Sequence, residues 1–185
     1  MPDTDALRTA GGTVWFTGLS GAGKSTVAQA LHDLLAERGL RSYLLDGDDL
    51  REGLNADLGF DERDRIENVR RLGEVAILFG RVGHLSIVSA ISPYAAGRKV
   101  VRERHLAVPV PFVEIYVATP LEVCEARDPK GLYARARRGE LASFTGISHP
   151  YEKPVSPELV LTTKGSPEEA SAEVFSVLEA VALFD

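Results

Sequence analysis

By length, composition and charge, the sequence is that of an ordinary globular protein. It has 185 residues, of which 44% are hydrophobic and 26% charged, and this length suits a single domain that buries its own core. The only cysteine, Cys124, excludes a disulfide framework and a zinc site made of cysteine pairs. With 21 Lys and Arg against 27 Asp and Glu, the net charge of −6 argues against nucleic-acid binding through a broad basic surface.

The start of the chain predicts no targeting segment. Residues 1–8 carry neither the basic region nor the apolar stretch of a secretion signal. No apolar run in the sequence approaches the roughly 18 residues that span a bilayer. We therefore expect a cytoplasmic protein that has no membrane partner and whose residues 1–11 are flexible.

Five short apolar runs predict β-strands along the chain. Each run is rich in β-branched or aromatic residues and is bounded by glycine, proline or charge, which is the pattern of a buried strand. The runs cover residues 13–17, 41–45, 84–89, 112–117 and 159–163.

Helical patterns separate these runs. Apolar residues recur at helical spacing from Val27 to Leu35, and the positions Ile66, Val69, Ala76 and Phe79 mark one face of a second helix. The last helix has a clear start, because Ser166 can cap it and is followed by a proline and, three residues on, a glutamate. Strands that alternate with helices predict an α/β fold with a mostly parallel five-stranded sheet and helices on both faces. Ligands of such sheets bind at the carboxyl ends of the strands.

A phosphate-binding loop follows the first predicted strand. Gly18–Ser25 fits the P-loop pattern G-x-x-x-x-G-K-[ST], and it precedes an amphipathic helix, as the mechanism requires. Its glycines let successive backbone N–H groups face phosphates, Lys24 reaches the β- and γ-phosphates, and the Ser25 hydroxyl binds Mg²⁺. The predicted nucleotide-binding residues of this loop are Gly18, Leu19, Ser20, Gly21, Ala22, Gly23, Lys24, Ser25 and Thr26.

A P-loop alone does not distinguish a switch, a motor and a small-molecule kinase. The guanine-reading pattern Asn-Lys-x-Asp is absent, since the nearest string, Thr162–Gly165, lacks the aspartate, and a motor normally needs a longer chain. Asp46 and Asp48 stand at the carboxyl end of the second predicted strand. One carboxylate can accept or orient the proton of an attacking hydroxyl, and the other can hold the water shell of Mg²⁺. We assign Lys24, Asp46 and Asp48 to catalysis, and Ser25 and, through water, Asp48 to the metal.

Six segments resemble, in order, those of the adenylylsulfate (APS) kinase family. They are GLSGAGKST at the P-loop, LDGDDLR from Leu45, LGFDERDRIENVRR from Leu58, ISPY from Ile91, PLEVCEARDPKGLY from Pro120 and FTGISHPYE from Phe144. The resemblance implies transfer of the γ-phosphoryl group of MgATP to the ribose 3′-hydroxyl of APS, which yields 3′-phosphoadenylylsulfate (PAPS) and ADP. It also implies one P-loop kinase domain over residues 1–185, a homodimer, and APS supplied by a separate sulfurylase.

The resemblance further implies how APS is held. Phe60 and Phe144 match the aromatic pair on either side of the APS adenine, where stacking contributes roughly 1–3 kcal/mol per base. Arg51, Arg65 and Asn68 match residues at the phosphosulfate and ribose, and the planar fork of arginine suits two anionic oxygens at once. The implied substrate-binding residues are Asp46, Arg51, Phe60, Arg65, Asn68, Ile91, Ser92, Lys130, Gly131, Leu132 and Phe144.

Residues 127–148 resemble the mobile lid of the family. The first part of this region, residues 127–138, has a proline and a glycine near its start and carries five cations against one acid. Lys130 matches the lid lysine at the APS site, and Arg127 matches a residue that lies against the ATP adenine. A lid is expected because a kinase that admits water hydrolyses ATP.

Ser92 matches a serine described in this family as a phosphorylated intermediate. We predict that it contacts substrate or supports its loop instead, because nothing at Ile91–Pro93 supplies a base to activate the hydroxyl. Loose phosphoryl transfer needs positioning and charge neutralisation rather than a covalent carrier. The prediction is direct in-line transfer.

The chain departs from the family at a few positions. Where the family commonly has Asn, Arg, Asp and Asp, this sequence has Asp49, Ala95, Gly97 and Ala118. Arg98 and Arg102 are near enough in sequence to replace the cation missing at position 95. The basic run is otherwise interpreted as a solvated helix face, and it comprises Arg98, Lys99, Arg102 and Arg104.

Two other functions remain open. A kinase for a sugar acid or an antibiotic hydroxyl would carry the same P-loop but would not need the aromatic pair. A nucleotide-binding module without catalysis would bind ATP and APS without turnover. Because the predicted catalytic and substrate-binding residues are kept, we expect an active enzyme.

Overall fold

The computed structural model describes residues 11–162, 165–181 and 183, and it confirms the α/β fold. Five parallel strands form one sheet in the order β2-β3-β1-β4-β5. The strands are β1 (Gly12–Thr17), β2 (Ser42–Asp46), β3 (Leu85–Ser89), β4 (Phe112–Val117) and β5 (Leu159–Leu161). The predicted end of the fifth strand, residue 163, lies outside the described residues. So do residues 1–10 of the start that was predicted to be flexible, whereas Gly11 is buried.

Helices cover both faces of the sheet. They are α1 (Lys24–Glu37), α2 (Glu62–Arg81), α3 (Ala95–Leu106), α4 (Leu121–Arg127), α5 (Leu132–Arg137) and α6 (Pro167–Ala180), and a 3-10 turn spans Asp49–Glu52. Among the described residues, no helix is both long enough and apolar enough to cross a membrane.

The central strand β1 divides the core into two layers. All six of its residues are buried, because β1 has a strand on either side and helices over both faces. Val14 and Phe16 pack into the layer of α1 and α6, whereas Trp15 packs into the layer of α2 and α3. This alternation follows from the opposite directions of successive side chains in a strand.

Glycine is required at two positions of the P-loop, which connects β1 to α1. The φ angle of Gly18 is +153°, and a Cβ at this position would lie 2.7 Å from the carbonyl oxygen of Val117. Gly23, directly before α1, has a left-handed φ of +100°. A side chain at either position would disturb the loop that presents its N–H groups to a ligand.

Side-chain caps begin α2 and α6. Asp61 accepts a hydrogen bond of 2.8 Å from the Asp64 N–H, and Ser166 forms the predicted capping box with Glu169. The predicted apolar face of α2 is wrong at Ile66, which is 38% exposed. The buried face of α2 begins with two polar residues, Arg65 and Asn68, and continues with apolar residues at helical spacing. The start of α2 therefore buries polar side chains.

Candidate active site

A cavity of about 890 Å³ lies at the carboxyl ends of β1, β2 and β3. The P-loop, the loop after β2, the start of α2, the turn after β3 and residues of the 127–145 region form its walls. It brings together most of the predicted site residues, namely Ser20, Gly21, Gly23, Lys24, Ser25, Thr26, Asp46, Asp48, Arg51, Phe60, Arg65, Asn68, Ile91, Ser92, Arg127, Lys130, Leu132 and Phe144. The other four predicted residues are outside its lining, and they are Gly18, Leu19, Ala22 and Gly131.

Lys24 is held ready for an anion. Its Nζ donates a hydrogen bond of 2.8 Å to the Leu19 carbonyl, which curls the lysine over the P-loop. Burial lowers the pKa of Lys24 to about 8, although the charges of Asp46 and Asp48 oppose this shift. A desolvated ammonium group gains strongly from an added phosphate charge, so the lysine favours a polyphosphate at this position.

Oxygen groups surround the Ser25 hydroxyl. Ser25 Oγ donates to Asp46 Oδ2 at 2.7 Å and lies 3.0 Å from Ser89 Oγ. Asp46 Oδ1 accepts a 2.9 Å hydrogen bond from the Asp48 N–H, which orients the carboxylate. Hydroxyl and carboxylate oxygens fit Mg²⁺, and the described residues contain no group of three His, Cys, Asp or Glu that could hold a metal by themselves. A magnesium ion here would share its coordination with phosphates and water.

Asp48 pairs with Lys130 across the mouth of the cavity. The two side chains form an ion pair that joins the loop between α4 and α5 to the loop after β2, and the carboxylate raises the pKa of the lysine. Both side chains are more than half exposed. An exposed pair contributes little to stability, so its partners can exchange for a ligand at small cost.

Arg51 and Arg65 approach the exposed ring of Phe60 in different ways. The Arg51 guanidinium lies 4.3 Å from the ring centroid and donates to the Gly59 carbonyl at 3.0 Å. Arg65 is buried and donates to the Phe60 carbonyl at 2.6 Å, to Thr145 Oγ1 at 2.7 Å and to a backbone carbonyl at 2.8 Å. Arg65 therefore ties α2 to the loop that carries Phe144, which is a structural role that the sequence did not indicate. Its predicted contact with the substrate stays a prediction.

The predicted lid region is anchored at its centre. Tyr133 is buried, donates to the Ser20 carbonyl at 2.9 Å, and meets the ring of Phe144 edge-on at 4.9 Å. Asp128 caps α5 by accepting hydrogen bonds of 3.0 Å from the N–H groups of Tyr133 and Ala134. The ring of Phe144 is thus set against the P-loop side of the cavity, while Lys130 stays on the exposed rim.

The Ser92 hydroxyl belongs to a buried network. Its Oγ accepts a 3.0 Å hydrogen bond from Trp15 Nε1 and donates at 2.9 Å to Thr17 Oγ1, which itself donates to the Ile91 carbonyl. Tyr151, 2.8 Å from the Thr17 hydroxyl, stays protonated because burial raises its pKa. None of these partners is a base. The geometry agrees with a supporting role for Ser92.

The predicted solvated face of α3 is wrong for Arg98. Only 4% of this residue is exposed, and its Nε lies 2.9 Å from Glu114 Oε1 on β4. Arg102 is bound by Glu114 and Glu158 at 3.2 and 2.6 Å. Neither Ala95 nor either arginine lines the cavity, and the replacement of the cation missing at position 95 stays a prediction. The sequence of α3 alone cannot show that a carboxylate on β4 faces it.

A second cavity of about 400 Å³ lies between the starts of α1 and α6. It shares Gly23, Thr26 and Arg127 with the first cavity. The two compartments therefore meet at the end of the P-loop, next to Lys24 in the sequence.

The model of the adenylylsulphate kinase family matches residues 10–162 of this chain. The chain belongs to the adenylylsulphate kinase family. This confirms the resemblance of the six segments, and membership of the adenylylsulphate kinase family explains why a P-loop and aromatic side chains line the same cavity.

Known adenylyl-sulfate kinases are similar along most of the chain. A probable adenylyl-sulfate kinase of Halalkalibacterium halodurans is 54% identical over 168 residues, which cover 90% of this chain and 82% of the relative. A bifunctional enzyme CysN/CysC of Mycobacterium tuberculosis is 54% identical over 169 residues, which cover 91% of this chain but only 28% of the relative. The structure of Mycobacterium tuberculosis APS kinase CysC in complex with AMPPNP and APS has a TM-score of 0.90 at 54% identity, and covers 91% of this chain and 98% of that chain.

Two residues of this adenylylsulphate kinase site escaped the sequence analysis. Tyr133 anchors α5, and Thr145 accepts a hydrogen bond from Arg65. Both lie within segments that resemble the family, so membership of those segments was the available signal. Their spacing distinguishes neither residue from an ordinary core or loop position.

Proposed function

We propose that this protein is an adenylylsulfate kinase, which transfers the γ-phosphoryl group of MgATP to the 3′-hydroxyl of APS by direct in-line transfer. One observation carries the proposal. One cavity is lined both by the P-loop lysine, Lys24, and by Phe60, Phe144 and Arg51. A polyphosphate site thus shares a cavity with groups suited to a flat base with an anionic tail.

The two cavities suggest how the substrates are placed. We place the ATP triphosphate along the P-loop and its adenine in the second cavity beside Arg127. APS occupies the first cavity, with its adenine against Phe60 and Phe144 and its phosphosulfate near Arg51. Since the cavities meet at Gly23 and Thr26, the acceptor hydroxyl comes close to the γ-phosphoryl group.

The polar groups at the ends of β1 and β2 then carry the chemistry. Lys24 stabilises the charge on the β- and γ-phosphates, and Asp46 or Asp48 accepts or orients the proton of the attacking hydroxyl. Ser25 and, through water, a carboxylate would hold Mg²⁺, which supplies neutralisation of phosphate charge when bound. Asp46 contacts Ser25, whereas Asp48 pairs with Lys130. The division of the two roles between the carboxylates stays a prediction.

Water must be kept out during transfer. We propose that residues 127–148 act as the lid and that Lys130 exchanges its partner Asp48 for bound APS. Gly131 and Gly139, with left-handed φ angles of +64° and +75°, flank the anchored helix α5 and provide flexible points. A homodimer, a cytoplasmic location and APS supply by a separate sulfurylase stay predictions of the family resemblance. Light scattering after size exclusion tests the first.

The decisive experiment is detection of PAPS and ADP after the purified protein is mixed with APS and MgATP. The Lys24→Met variant, which keeps the length of the side chain without its charge, is the matched control and is expected to form no PAPS. ADP release with a sugar acid or an aminoglycoside, and none with APS, would instead identify a different small-molecule kinase. Binding of ATP and APS without PAPS formation would identify a catalytically idle module.

A further inference from the structure

One buried arginine outside the cavity fastens three separate segments together. The Nη1 of Arg98 donates to the carbonyl of Ser92 at 2.6 Å, and its Nη2 donates to the carbonyl of Glu152 at 2.6 Å. Its Nε lies 2.9 Å from Glu114 on β4. The planar fork of the guanidinium makes the two backbone hydrogen bonds and the ion pair at once, which a lysine cannot do.

The segment that Arg98 holds at Ser92 is strained. Ser92 has a left-handed φ of +40°, and such a conformation costs a non-glycine residue roughly 1–2 kcal/mol. Strained backbone persists only where surrounding contacts over-determine it. Arg98 supplies one such contact from behind the turn, and Trp15 supplies another through the side chain of Ser92.

The same turn is bound from a second direction. The backbone N–H of Glu152 donates to the Pro93 carbonyl at 2.8 Å, and its side chain accepts a 2.7 Å hydrogen bond from the Ala95 N–H. Because Arg98 also holds the Glu152 carbonyl, the turn and the segment around Glu152 are locked to each other. Loss of the guanidinium would remove the two hydrogen bonds that Arg98 donates, and leave the turn held by Glu152 and Trp15.

The turn forms part of one substrate compartment only. Ile91, Ser92 and Pro93 line the first cavity and none of them lines the second. Displacement of the turn would therefore change the wall of the acceptor compartment and leave the other compartment intact.

We propose that Arg98 is a positioning residue for the acceptor substrate, because it holds the turn at residues 91–93 in the strained conformation that shapes the APS compartment. This proposal rests on the proposed function, which identifies APS as the acceptor. Arg98 does not touch the substrate, since it is absent from the cavity wall. Its effect is expected on APS recognition rather than on ATP binding.

The kinetic test compares Arg98→Met and Arg98→Lys with the control Arg102→Met. Arg102 contacts the same Glu114 but makes no hydrogen bond to the turn. We expect the KM for APS to rise about tenfold or more in Arg98→Met, which equals a loss of about 1.4 kcal/mol, and to rise less in Arg98→Lys. The KM for ATP is expected to change less than about twofold in all three variants. Equal rises for ATP and APS would overturn the proposal.

Trp15 provides a readout that does not depend on activity. It is the single tryptophan of the chain, and its indole N–H donates to Ser92 Oγ. In the proton–nitrogen NMR spectrum, the one indole signal should shift in both Arg98 variants and stay in place in Arg102→Met. An unmoved signal in Arg98→Lys, which keeps a positive charge beside Glu114, would overturn the proposed link to the turn. A wild type that forms no PAPS would overturn the proposed function, and with it the assignment of the turn to APS, even where the indole signal moves.

Discussion

Replacement of Ser92 with alanine tests whether its hydroxyl has a structural role or carries a phosphate during the reaction. In the structure Ser92 Oγ accepts from the buried Trp15 Nε1 and donates to Thr17 Oγ1. Alanine leaves the indole N–H without this acceptor, whereas Thr17 keeps its contacts with the Ile91 carbonyl and Tyr151. One buried donor without a partner costs about 1–3 kcal/mol of unfolding free energy.

Ser92→Gly is the matched control, since it removes the same hydroxyl but tolerates the φ of +40°. A left-handed conformation costs alanine roughly 1–2 kcal/mol, whereas glycine adopts it freely. The larger backbone entropy that glycine loses on folding, roughly 0.5–1 kcal/mol, offsets part of this gain. We therefore expect Ser92→Gly to be more stable than Ser92→Ala by up to about 1.5 kcal/mol.

Thermal unfolding and PAPS formation measured on the same preparations test both statements. For a chain of this size, a loss of 1–3 kcal/mol lowers Tm by about 2 to 12 °C. Direct in-line transfer predicts that both variants still form PAPS, with the KM for APS raised and kcat within about tenfold of wild type. Abolished turnover at unchanged Tm, together with phosphoserine found at position 92 of the wild type by mass spectrometry, would refute this reasoning.

Three further predictions concern the catalytic carboxylate, the P-loop lysine and the lid. Asp46→Ala should lower kcat by on the order of 10² or more with ATP binding little changed, and near wild-type turnover would move the proton-accepting role to Asp48. Because burial lowers the pKa of Lys24 from 10.5 to about 8, the unfolded chain binds more protons between these values, so stability should rise with pH across this window. Urea unfolding from pH 7 to 10.5 should show this slope in the wild type but not in Lys24→Met, and equal slopes would contradict the buried charge. If the lid at Lys130 closes better over bound nucleotide, APS should bind the MgADP-loaded protein about 5 to 150 times more tightly than the free protein, and excess APS should lower the rate. Calorimetry and initial rates check this, and equal affinities with a rate curve that only saturates would remove the coupling.

Local sequence was sufficient for much of the fold and for the centre of the site. The P-loop needs its glycines at particular positions, so Gly18–Ser25 can be recognised from the local sequence alone. Periodicity located the five strands because burial on a sheet demands apolar runs, and the capping box at Ser166 was readable because its two bonds join residues three apart. Arg51, whose guanidinium lies over the Phe60 ring, is only nine positions from it along the chain, although the sequence did not predict this contact.

Only the tertiary structure decided the order of the strands and the use of several charged residues. Strand order depends on which edges meet across long crossovers, and local periodicity carries no information about that. Arg98 shows the same limit, since its partners Glu114 and Glu152 are 16 and 54 residues away and its helix alone has the pattern of a solvated surface. Desolvation of a charge depends on everything packed around it. The sequence shows that α3 carries several basic residues, and the packing of α3 against β4 determines which of them is buried.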